Sequence, residues 1–154
     1  MGYNVNISAP NLVCVCVDTV SDYTQIGRIY HKYNTEPEKF NTLSQLLSIM
    51  DQLFDRIGYP QNFTAERNFE QEKEIRRSAE KEMQKMDAEK MLENKGEMAT
   101  FVVHVQYRQH ATWQGEVVWA DQNKKCRFRS ALELLKLIDN ALDETQGEES
   151  KEEE

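Results

Sequence analysis

The chain is poor in the residues that usually announce a site. Its 154 residues include six glycines, three prolines and three cysteines. So few glycines exclude a glycine-rich phosphate cradle, and neither Gly-x-Ser-x-Gly nor His-Glu-x-x-His occurs. No apolar run reaches the roughly 18 residues a membrane-spanning helix needs. An odd, small number of cysteines fits a reducing cytoplasm better than a disulfide framework. The first residues show no charged segment followed by an apolar one, so no secretory signal is expected there. Hydrophobic residues make up 39%, below the usual figure of about 45–50%, so part of the chain is expected to lie outside any core.

Acids are the exception, with 27 against 19 basic residues and a net charge of -8. A surplus of acid argues against binding a phosphate backbone. The surplus is uneven, however. Residues 143–154 hold 7 acidic and 1 basic residue, which leaves 20 acidic and 18 basic in residues 1–142. The acidity belongs mainly to the tail and speaks for solubility more than against any partner.

What is present is an internal repeat. Residues 11–55 align without a gap on residues 99–143, with nine identities in 45 positions. They include Val15/Val103, Val17/Val105, Gly27/Gly115, Phe40/Phe128, Leu46/Leu134, Asp51/Asp139 and Asp55/Asp143. Composition alone would supply about three, and it would not preserve the order of apolar and polar positions. Each unit opens with period-two alternation rich in β-branched residues, over Leu12–Thr19 and Thr100–Arg108, as expected of a strand with one face on a core. Second strands follow near 27–33 and 115–120, and short third strands near 38–41 and 125–129. Thr42-Leu-Ser-Gln45 and Ser130-Ala-Leu-Glu133 are capping boxes, each placing a hydroxyl at a helix N-cap and a Glu or Gln three residues on. The helices then carry stripes at Leu46, Leu47, Met50, Leu53, Phe54 and Ile57, and at Leu134, Leu135, Ile138, Ala141 and Leu142.

The expected fold class is α+β. It is a tandem duplication of a βββα unit, each a three-stranded antiparallel sheet plus one helix, joined by a long charged helix. The expected segments are 1–60, 61–97, 98–143 and a disordered acidic tail, 144–154. The joining helix rests on residues 66–95, which carry 9 acidic and 8 basic side chains at helical spacings and read as a solvated spacer.

A unit of about 45 residues buries little by itself. The sheet face turned from the helix would hold Cys14, Cys16, Tyr30, Val102 and His104, too apolar to be simply solvated. Ile49 and Leu137 fall off the helix stripes and widen the apolar surface. These seven residues are the candidate contact surface, either between the repeats or with a second copy or another protein. Cys14-x-Cys16 lacks the second ligand pair that zinc wants, and no catalytic triad or metal motif forms around His31, His104, His110 or Cys126, so no cofactor, metal or catalytic residue is expected. The second unit has one further feature. Lys125, Arg127 and Arg129 alternate along the third strand, with Trp113 and Trp119 nearby in the pattern. Basic and aromatic groups on a small sheet can contact phosphates and stack on bases, although an edge strand guarded by charge explains them more simply.

The stretch from Ala99 to Gly115, with Phe128-Arg-Ser-Ala-Leu-Glu-Leu-Leu134, resembles small proteins of anaerobic Firmicutes-type bacteria, and so does Gly27-Arg-Ile-Tyr-His-Lys-Tyr33 with Leu53 to Gln61. That resemblance implies a bacterial source and brings no activity or ligand with it. The βββα order, Trp113-x-Gly-Glu-Val117 and Phe128-Arg-Ser-Ala-x-Glu133 are loosely similar to AP2 and integrase arm-binding domains, which lay their sheet on DNA. The expected function is a non-enzymatic, cytoplasmic binding or scaffolding protein that self-associates, with nucleic-acid binding as the alternative.

Overall fold

A computed structural model describes residues 7–60, 84–109 and 112–152. The chain is α+β, and its centre is a six-stranded antiparallel sheet in the order β3-β2-β1-β4-β5-β6. The strands are β1 (Val13–Val20), β2 (Gln25–His31), β3 (Glu38–Phe40), β4 (Ala99–Gln109), β5 (Thr112–Trp119) and β6 (Lys124–Phe128). Three helices occur among the described residues: α1 (Leu43–Ile57), α2 (Ala88–Met91) and α3 (Ala131–Glu152).

The registers of the two halves coincide when 88 is added to every number. Val13 pairs with His31, and Phe101 with Trp119; Gly27 pairs with Phe40, and Gly115 with Phe128. Both hairpins carry a bulge at the matching place, Val17/Thr19 and Val105/Tyr107. Beside each bulge the strands approach so closely that a β-carbon on Gly27 would collide with the Cys16 carbonyl, and one on Gly115 with the His104 carbonyl. Glycine is therefore required at both. The halves join where β1 runs antiparallel to β4. Val13 faces Val103, Cys14 faces Val102 and Val15 faces Phe101.

Both expected helix starts are present. The Thr42 hydroxyl accepts from the Gln45 N–H at 3.1 Å, and the Ser130 hydroxyl from the Glu133 N–H at 3.0 Å. The Gln45 side chain reaches back to the Asn41 N–H at 2.7 Å. Helix α1 ends at Gly58 in the left-handed region, φ 67°, which lets the Tyr59 N–H bond the Phe54 carbonyl.

Because strands alternate their side chains, the sheet has two apolar faces. Val13, Val15, Val17, Phe101, Val103 and Val105 face α1 and α3. Cys14, Cys16, Tyr30, Val102 and Val118 face the other way, and Ala9, Leu12, Met86, Ala88, Met91 and Leu92 cover them. Polar bonds hold this cover down. The Asn11 amide donates to the Val105 carbonyl at 2.6 Å. The Lys32 ammonium, itself buried, donates to the Ile7 carbonyl, and the Lys32 carbonyl accepts from Lys85 and Met86. Arg28 makes two bonds to Asp18 and a third to the Lys95 carbonyl.

Two expectations change here. Residues 61–83, most of the expected charged helix, lie outside the described residues. Of the remainder, only Ala88–Met91 is helical, and it packs on the sheet instead of standing in solvent, because Met86, Met91 and Leu92 supply apolar surface amid the charges. The acidic tail is not irregular through its described length. Helix α3 continues past Asp143 to Glu152, in keeping with the good helix propensity of Glu, Gln and Lys.

At the far end of β4 the guanidinium of Arg108 is buried, 3% exposed. It donates to the Pro60 carbonyl at 2.8 Å, to Asp51 at 3.1 Å and to Asp55 at 2.8 Å, and lies 5.5 Å above the Phe54 ring. This clamp ties α1 of the first half to β4 of the second. The double change Asp51→Asn with Asp55→Asn leaves a buried cation without counter-charge. It is expected to cost about 2–3 kcal/mol in urea denaturation, less than a fully buried pair because both carboxylates are half exposed. Arg108→Met removes the charge together with its need for partners and should cost less; the opposite order would contradict this account of the clamp.

Candidate functional site

Each residue expected at a contact surface has a definite place. Cys14, Cys16 and Val102 are fully buried under the chain's own cover, and Tyr30 and His104 nearly so. They form an interior face, not an exposed one. Ile49 and Leu137 remain half-buried beside the helix-side core. The Cys14 and Cys16 sulfurs lie 3.9 Å apart. The hydrogen bond with Cys16, together with burial, raises the Cys14 thiol above its ordinary pKa, which suits an inert thiol and not a nucleophile. Burial lowers the His104 pKa, against the opposing pull of Glu116. Its Nε2 has no hydrogen-bond partner among the described residues.

The residues expected to contact nucleic acid do not share one face. Trp113 is buried, with its ring 5.5 Å from that of Phe54. Trp119 stacks on Phe101 on the helix side, with centroids 6.4 Å apart. Lys125 and Arg127 project from the opposite face and both reach Glu116, at 3.1 and 3.7 Å. Arg129 is exposed beyond the end of β6.

The structure assembles something else. Between α3 and strands β4, β5 and β6 lies a cavity of about 210 Å³. Phe101, Val117 and Trp119 form its floor, and Leu137, Asn140, Ala141 and Glu144 descend from α3 at helical spacing. Lys124, Lys125 and Cys126 close its side. The Lys124 ammonium sits 5.7 Å above the Trp119 ring, within reach of a cation–π interaction. Cys126 is exposed and its thiol is free.

The first half shows why this space exists. Subtracting 88 places Leu53 where Ala141 stands, His31 for Trp119, Glu36 for Lys124 and Arg56 for Glu144. Leu53 is buried at 2% exposure and fills with three more carbons the position that Ala141 leaves open. His31 is also buried. Its Nδ1 accepts from the Tyr33 N–H at 3.1 Å, and its Nε2 lies 3.8 Å from Glu38. The signal was present in the aligned repeats as a Leu-to-Ala difference on a buried stripe. Leu137, noted in sequence as lying off that stripe, is a pocket residue.

Compared with protein-family models, curated proteins and solved structures, the chain matches none. Among the described residues no helix is long and apolar enough to cross a membrane.

The buried histidines set an acid limit. Burial, and then the nearby Arg56 charge, lower His31 from 6.5 to about 4; burial lowers His104 too. A histidine that titrates lower in the folded than in the unfolded chain contributes stability above the unfolded pKa. That stability is lost as pH falls toward the folded value, because the unfolded state binds the proton first. Between pH 6.5 and about 4 the chain should lose on the order of 3 kcal/mol at His31 alone. Denaturation curves across this range test it. His31→Gln should show a shallower pH slope than the parent, and stability that held level on acidification would contradict the assignment.

Proposed function

We propose that the chain is a non-enzymatic binding module made from a duplicated βββα unit, in which the second copy carries the binding pocket and the first is its closed counterpart. Duplication is supported by the coincident registers, bulges and caps of the two halves. The single observation that carries the functional reading is the cavity beneath α3, lined by Trp119, Leu137 and Ala141, at a place where the first half has Leu53. Pockets with apolar walls and a few polar groups at the mouth are the usual form of a small-molecule site.

The non-catalytic reading draws support from the burial of Cys14, Cys16 and His31 inside the chain, away from any substrate. A reducing, cytoplasmic setting suits three free thiols. The proposal takes the single chain as the binding unit, since the chain itself covers the sheet face on which self-association was expected. Contact with a second copy or another protein through Ile49 and Leu137 is the remaining form of the scaffolding reading. A nucleic-acid role has less support, because Glu116 already engages Lys125 and Arg127.

Ala141→Leu tests the pocket. A library of small fragments is screened by ligand-observed NMR against the parent and the variant. The variant should fold with equal or slightly higher thermal stability, since it fills a void, and should lose the apolar fragments that bind the parent. Fragments that bind both proteins alike would show that the pocket is not the site.

A further inference from the structure

The pocket offers two kinds of surface. Its floor is apolar. Its mouth carries two lysines of β6, Lys124 and Lys125, and one acid, Glu144 on α3. Lys125 is engaged with Glu116, as is Arg127, whereas Lys124 and Glu144 have no ion-pair partner among the described residues. The Lys124 ammonium is held over the Trp119 ring and so over the floor. Asn140, on the same side of α3 as Glu144, adds an amide that can donate or accept.

These charges discriminate between ligand classes. An apolar molecule with only a carboxylate would gain Lys124 and face Glu144. One with only an amine would gain Glu144 and face Lys124. A neutral apolar molecule would gain from neither charge, since both side chains are exposed and stay solvated. A compact zwitterion engages both, and a cavity of about 210 Å³ has room for one branched or aromatic side chain. Resting on the reading of this pocket as a binding site, we propose that its ligand is a free α-amino acid with an apolar side chain. The carboxylate is held by Lys124, the ammonium by Glu144, and the side chain lies on Trp119 beneath Ala141.

The test titrates the full chain with leucine and phenylalanine, followed by tryptophan fluorescence and calorimetry. N-acetylleucine, leucinamide and glycine are the comparison ligands. Leucine or phenylalanine should bind, and glycine, which lacks the apolar part, should not. Acetylation or amidation should each weaken binding by about tenfold or more, the scale of one charged hydrogen bond. Lys124→Gln should remove the penalty of amidation only, and Glu144→Gln that of acetylation only. Both changes are at exposed positions, so the outcome does not hang on the folding of a core variant. If N-acetylleucine or leucinamide binds as tightly as leucine, the zwitterion is overturned. If no amino acid binds while fragments still bind and are lost in Ala141→Leu, the ligand class is overturned and the pocket stands. If nothing is sensitive to Ala141→Leu, both fall.

Discussion

Everything in this chain depends on keeping water from both faces of the β1–β4 pair. These two strands lie at the centre of the sheet, and Val13 to Val17 and Phe101 to Val105 are buried on both sides. A strand buried on one face needs one cover, and these need two. Helices α1 and α3 supply the first. The second comes from segments that look like connecting chain in the sequence, around Leu12 and from Met86 to Leu92. Burying a large apolar side chain is worth about 1.5–3 kcal/mol, so this cover contributes on the scale of a small domain's net stability. Arg28, Lys32 and Asn11 fasten it with bonds to main-chain carbonyls.

Within that frame the two halves share a plan and differ in detail. Registers, bulges, caps and the glycines at the close approaches repeat. Arg108 has Val20 as its counterpart, Ala141 has Leu53, Trp119 has His31 and Lys124 has Glu36. The first of these differences closes a clamp between the halves, and the other three open and charge a pocket. The pocket lies where the second half carries less side-chain volume than the first, Ala141 standing opposite Leu53 in the alignment.

Much of the framework was legible in the sequence because it rests on local rules. The strands were legible to within about three residues, the largest miss being the start of β5 at Thr112, and the hydroxyls of Thr42 and Ser130 marked both helix starts. The β1–β4 pairing was legible only as a need, since an apolar second face required a partner without naming it. The second cover was obscured because charge density was read as solvation, while Met91-Leu92 is an apolar pair within a charged run. Arg108 was legible only as the end of a strand, because nothing local tells a strand residue that Asp51 and Asp55 will come from a helix more than fifty positions away. The pocket was obscured for a different reason. A cavity is the absence of side-chain volume, and only the comparison of Ala141 with Leu53 in the aligned repeats could have exposed it.

The most direct test of the central claim, that the chain seals its own second sheet face, is the rate at which its three thiols react. The folded protein is mixed with an aromatic disulfide reagent and the released thiolate is followed in time. The account predicts one fast equivalent from Cys126, with Cys14 and Cys16 reacting only at the rate of unfolding or on addition of denaturant. Three fast equivalents from the native chain would contradict it, because the face would then lie open to solvent.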